Sequence, residues 1–225
     1  MLKPIVGMLS ILGFAAYGTA AISLCKSGLF DDARFTSAFI GFAIGAWIWI
    51  ILGRRLSFFS VFEHEFTHLV FSILMFQKPR SFYASEKRGH VSCDRGNFVD
   101  GLAPYYFPTF SYLLLAVYPL LKPGAYMVFF PALGLTVGYH LVSNIGEFKP
   151  TESDIRRYGV GFSLVFCLFA GTLTLGFLLA FTTGGFGGAV GYLKAGWYEV
   201  GSILVYLVRL AWTGITHLLA VAGPN

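Results

Sequence analysis

Charge is what this chain has least of: Asp, Glu, Lys and Arg together make up 12% of its 225 residues. A soluble globular domain carries about 25%, so a soluble class is excluded, and a mean hydropathy of +0.70 agrees. Cysteine is scarce too. Cys25, Cys93 and Cys167 are odd in number and far apart, which leaves neither a CxxC metal knuckle nor a disulfide framework; they read as reduced structural thiols. A nucleic-acid footprint is missing, because the basic residues behind the net charge of +5 sit mainly between apolar segments. Internal repeats, low-complexity tracts and a linker to a second domain are also absent, so residues 1–225 read as one integral membrane domain.

What the chain does have is apolar and aromatic surface, 56% and 18% of its residues. Crossing the hydrocarbon core takes ~20 mostly apolar residues. Seven segments qualify: about 5–25, 35–52, 57–76, 102–121, 125–145, 158–183 and 196–221. The expected fold is therefore an all-α polytopic membrane protein with six to seven transmembrane helices. The seventh segment is the weakest, since Glu199, Arg209 and His217 interrupt it; they read as side chains snorkelling to the interfaces. The first run, after Lys3, has Gly18-Thr19-Ala20-Ala21 as a conceivable signal-peptidase region, but its length and the spans behind it favour a retained helix. The 27 Gly and 9 Pro suit helices that pack closely or break.

With seven alternating spans, loops 26–34, 77–101 and 146–157 share one side and carry ten Lys and Arg, against five opposite. The positive-inside rule places the richer side in the cytoplasm and the N-terminus outside. Within 77–101, Ser81-Phe82-Tyr83-Ala84 and His90-Val91-Ser92-Cys93 flank Glu86-Lys87-Arg88-Gly89, which predicts a short β-hairpin around a Gly-containing turn. Pro104 and Pro108 then distort the start of the next span. Backbone freed in this way is tolerated at membrane depth only where protein or water satisfies it.

The chemistry concentrates in His64-Glu65-Phe66-Thr67-His68, an H-E-x-x-H motif inside the third segment. Ionisable groups there are costly and call for a functional explanation. On a helix His64 and His68 share one face, so two imidazoles can bind a single zinc ion, with Glu65 beside them to accept a proton from water polarised by the ion. Glu63 points away from that cluster. A catalytic zinc takes three protein ligands and keeps one position open. Asp154, near the cytoplasmic end of span five, is the first candidate for the third. Asp100 at the mouth of span four, His140 within span five and Glu147 follow in that order. A di-iron bundle reading of Glu65-Phe66-Thr67-His68 fails, because no other Glu has His three residues later.

These residues resemble the site-2 protease-like family of intramembrane zinc metalloproteases. The resemblance rests on His64-Glu65-Phe66-Thr67-His68 in a span, Gly89-His90-Val91 in the following hairpin, Leu102-Ala103-Pro104-Tyr105, and Asp154 after Gly138-Tyr139-His140. It covers roughly residues 57–160, the expected metalloprotease core, with 1–56 and 161–225 as accessory spans. It implies His64, His68 and Asp154 as ligands of one zinc per chain and Glu65 as catalytic base. Gly89, His90 and Val91 would belong to an edge strand that receives unwound substrate. That substrate would be a membrane protein or peptide, met in a bacterial inner (plasma) membrane with the active site toward the cytoplasm. Asp154 lacks the following Gly of the family's third-ligand signature, whereas Asp100-Gly101 has it. His90 is a possible oxyanion stabiliser, or simply an exposed hairpin residue.

Two other classes compete with the protease. A non-catalytic metal-binding scaffold would keep the same ligands, and a Glu65→Gln variant separates the two. A transporter would use His64, Glu65, His140 and Glu63 as an ion or proton path, but the repeated halves common among transporters are missing.

Overall fold

A computed structural model describes residues 2–26, 29–53, 55–85, 89–93 and 96–221. Helix dominates, because a backbone surrounded by apolar side chains and lipid must satisfy its hydrogen bonds within each segment. In chain order the elements are α1 (Leu2–Lys26), α2 (Ala33–Leu52), α3 (Ser57–Leu74), β1 (Pro79–Ala84), β2 (Gly89–Cys93), α4 (Phe98–Leu102), α5 (Thr109–Val117), α6 (Tyr126–Glu147), α7 (Ser153–Tyr158) and α8 (Val160–Val221). The all-α class and the hairpin are both present. β1 and β2 pair antiparallel, with Phe82 opposite Val91 and Tyr83 opposite His90; residues 86–88 of the expected turn lie outside the described residues.

Among the described residues, four helices are long and apolar enough to cross a membrane: α1, α2, α6 and α8. The last is two arms. Gly185 has φ 58° and ψ −151°, a conformation open to glycine because it has no Cβ. There the chain folds back: the Tyr192 hydroxyl donates to the carbonyl of Thr172 at 2.9 Å, although those residues would lie ~30 Å apart along a straight helix. The arms, 160–184 and 186–221, correspond to the last two expected spans.

Spans three and four come out differently. α3 holds Glu63, His64, Glu65 and His68 and falls outside the apolar set. The 102–121 segment is broken at its prolines into α4, a 3-10 turn over Ala103–Tyr105, and α5. Its apolar stretch Thr109–Leu120 is short, about 18 Å of helix against a ~30 Å hydrocarbon core.

Contacts fix the helix directions. Ala38 meets Gly134 and Phe42 meets Gly138, so α2 and α6 run parallel. α5, which falls between them in the chain, packs on α6 and runs the opposite way, with Ser111 on Thr136 and Tyr118 on Phe129. α3 therefore makes no net passage from one end of the bundle to the other. This corrects the alternation expected from seven spans. Lys3 Nζ donates to the carbonyl of Tyr158 at 3.2 Å, placing the N-terminus at the same end as α7 rather than opposite it.

Two close helix pairs frame the bundle. In the α2–α6 pair, Gly41 and Gly45 abut the carbonyls of Pro131 and Leu135, and a Cβ on Gly134 or Gly138 would collide with the carbonyl of Ala38 or Phe42. Small residues at four-residue spacing let backbones approach this closely, and packing is what drives helix association in lipid. The second pair joins α1 to both arms of α8 through Tyr17, which touches Phe169 and Tyr192. Beneath the motif helix, Leu102, Ala103, Tyr105, Tyr106 and Ile155 pack with Phe166, Cys167 and Ala170 of α8. Replacing Gly134 by Leu should overpack the α2–α6 seam and destabilise the protein by about 1–3 kcal/mol. A lowered melting temperature in detergent would report it, and an unchanged one would contradict the close packing.

Candidate metal centre

α3 places His64 and His68 one turn apart, their ring centroids 5.0 Å from each other. Asp154 reaches them from α7, 90 residues beyond His64. Its Oδ2 lies 3.4 Å from His64 Nε2 and 3.4 Å from His68 Nε2. Tetrahedral ligands at ~2.1 Å from one ion stand ~3.4 Å apart, so both edges have the length that a shared metal requires. The three residues form a group that can hold a metal ion.

α7 is short but firmly placed. Ile155 is fully buried among Leu102, Tyr105 and Phe166. The hydroxyl of Tyr158 donates to the carbonyl of Asn97 at 2.7 Å, tying α7 to the start of α4. Burial pushes the Asp154 carboxyl up, but hydrogen bonds from His64 and His68 outweigh it and hold the group below the usual carboxylate range. Asp154 is thus held as an anion, the form that ligates metal.

The outer nitrogens of both rings are also engaged. Nδ1 of His64 faces Glu147 Oε2 at 3.5 Å. Nδ1 of His68 donates to the carbonyl of Asp100 at 3.1 Å. Partners of this kind fix the ring orientation and keep a proton on Nδ1 when a metal replaces the proton on Nε2. They also decide where the other expected ligands stand. Asp100 is buried beside His68, its carboxylate 3.8 Å from Nδ1 and accepting from Ser72 Oγ at 3.4 Å; it orients a ligand and is not one of the trio. His140 lies apart, with Nδ1 3.7 Å from Glu63 Oε1 and Nε2 accepting from Asn144 Nδ2 at 2.7 Å. Glu63 also accepts from the backbone N–H of Phe110 at 3.3 Å, so the buried Glu63–His140 pair pins α3 to α5 and α6. The pair satisfies itself, as buried charge must.

Glu65 follows His64 on the flank of α3, beneath the hairpin. A Cβ on Gly89 would collide with the Glu65 side chain, so only glycine lets β2 lie this close. His90 is exposed on β2, opposite Tyr83. Tyr105 closes the other flank, its ring edge-on to His64 with centroids 5.3 Å apart. Two roles escaped the sequence reading: Glu147 as partner of His64, and Tyr105 as a wall of the site. A signal for the first existed, since His140, Asn144 and Glu147 are spaced to share one face of α6.

The chain matches no protein-family model, no curated protein and no solved structure. The arrangement therefore speaks through its own chemistry: two imidazoles and a carboxylate converge on one point, with the Glu65 carboxylate beside them. Protein purified without chelators should carry about one metal ion per chain by elemental mass spectrometry. Asp154→Asn should abolish that stoichiometry, and Glu147→Gln should weaken binding by about 10–100-fold. His140→Ala should leave the metal content unchanged; loss of metal there would place His140 in the centre instead.

Proposed function

We propose that the chain is a polytopic membrane zinc metallopeptidase that hydrolyses peptide bonds of membrane proteins or peptides within or beside the bilayer. The observation that carries this reading is the His64–His68–Asp154 trio with Glu65 next to it and β2 lying across Glu65. Two nitrogens and one oxygen suit zinc among the divalent metals. When bound, the ion supplies Lewis acidity to the scissile carbonyl and the attacking water. Glu65 takes the proton released as water attacks and delivers it to the leaving amine. The tilt of His64 and His68 is maintained by Glu147 and the Asp100 carbonyl, so the ligand nitrogens need no rearrangement before reaction.

A helical substrate hides its carbonyls in its own hydrogen bonds and must unwind first. Pairing with the hairpin through Gly89, His90 and Val91 would hold it extended, with the bond to be cut over Glu65. The bareness of Gly89 supports this, because a side chain there would fill the space above the carboxylate.

The crossings in this reading are α1, α2, the α4–α5 segment, α6 and the two arms of α8, six in all, with α3 held at the site end of the bundle by its buried Glu63 and Thr67. Among the described residues, Lys3, Arg55, Lys78, Arg80, Lys149, Arg156 and Arg157 flank that end, against Lys26, Arg34 and Lys122 at the other. The positive-inside rule then puts both the site and the N-terminus in the cytoplasm, as in a bacterial inner membrane.

A Glu65→Gln protein should retain its metal and lose about 10²-fold or more of its cleavage of a membrane substrate. Full activity in that variant would turn the reading to a non-catalytic scaffold. For orientation, in a chain whose exposed Cys25 is replaced by Ser, a cysteine replacing Gly124 should react with an impermeant thiol reagent from outside intact cells, and one replacing Gly146 should not. The opposite pattern would invert the topology.

A further inference from the structure

A cavity of about 700 Å³ lies between the α2–α6 pair and the first arm of α8 and borders the candidate metal centre at Tyr105. It runs along the helices. On α6 its lining extends from Leu133 to Phe148, about 22 Å at the helical rise of 1.5 Å per residue. Spread over that length, the cavity is a bore about 9 Å across, narrower than the roughly 10–12 Å of a helix with its side chains. The slot is therefore too narrow for a spanning helix and wide enough for one hydrocarbon chain.

Its chemistry points the same way. None of the lining residues is charged, and the polar ones are a few hydroxyls, one thiol and the Asn144 amide, which His140 already engages. Deep in the slot Leu133 and Leu178 are almost fully buried. At the mouth, Phe39 and Ile145 on one wall face Leu164 and Leu168 on the other, all exposed. In a membrane-embedded chain that mouth opens onto lipid tails. Water gains nothing in a slot this apolar, and a buried carboxylate would find no cation inside it.

We propose that the slot binds one acyl chain of a membrane phospholipid, entering from the bilayer between α2–α6 and α8, with the headgroup left outside. Half of a ~30 Å hydrocarbon core is ~15 Å, so a chain from one leaflet fits within the slot's length. Its inner side meets Tyr105, the ring that backs His64, so the lipid props one wall of the metal centre. Occupation of the slot requires neither a metal ion nor peptide hydrolysis.

The test uses the full chain in nanodiscs of phosphatidylcholine doped with an analogue bearing a terminal diazirine on one acyl chain. After irradiation, adducts should map to Val137 and Leu175 inside the slot. A Cβ at Gly171, which lines the slot, would meet nothing within 4 Å. Gly171→Leu should therefore fill the slot without a clash and lower those adducts by about tenfold or more, since packed interiors leave no room for a second occupant. Val137→Phe, filling from the opposite wall, should do the same, and a Glu65→Gln chain should label like the wild type. Adducts confined to outward residues such as Leu120 and Met127, or undiminished in both filled variants, would overturn the proposal. So would labelling of the slot by a diazirine fatty acid or an apolar peptide and not by the phospholipid. If either filled variant fails to fold, the wild-type adduct positions decide alone.

Discussion

Three of the four ionisable side chains on α3, Glu63, His64 and His68, are each answered by another group, because an unpaired charge among apolar side chains is far costlier than a paired one. The rest of the site follows from that constraint. His64 is answered by Asp154 and Glu147, His68 by Asp154 and Asp100, and Glu63 by His140 and the Phe110 N–H. These partners come from α4, α5, α6 and α7, so satisfying one 18-residue helix determines where four others may stand. The broken 98–120 segment looks irregular in isolation. Its two breaks bring the Asp100 carbonyl, the Tyr105 ring and the Phe110 N–H to three successive levels of α3.

Much of this was legible in the sequence where the signal is local. The H-E-x-x-H spacing presents two imidazoles on one face whatever surrounds them, and the alternation around Gly89 specifies a hairpin. Asp154 was ranked first because it follows span five on the motif's side, and it does stand against both histidines. Asp100 follows it as a same-side carboxylate at the mouth of span four, and His140 follows on its depth in span five. Depth says nothing about which ring nitrogen a group meets, and that is what makes Asp100 an orienting partner and His140 the mate of Glu63.

The span count misled where polarity and hydropathy compete. Residues 57–76 contain enough Phe, Leu and Val to read as a crossing, yet the four ionisable groups tie α3 to the site end of the bundle. Once that segment is removed from the alternation, Lys3 and Arg55 fall at the same end of the bundle as α7 and the hairpin. Gly41–Gly45 and Gly134–Gly138 were visible as four-residue repeats, but nothing in either segment names its mate. Pairing between distant segments is a property of the whole bundle.

That same pairing sets a schedule for making the protein. α2 ends at Leu52 and α6 begins at Tyr126, so the glycine face of α2 is synthesised more than seventy residues before the surface it fits. At ~5–20 residues per second the wait is about 4–15 s. During that interval α2 sits in the membrane with a bare backbone groove open to any small-faced helix nearby, including α2 of another nascent chain. The feature that gives the mature bundle its tightest seam is therefore its most vulnerable surface during birth, and any insertase or chaperone attending this protein has most to do before residue 126 emerges.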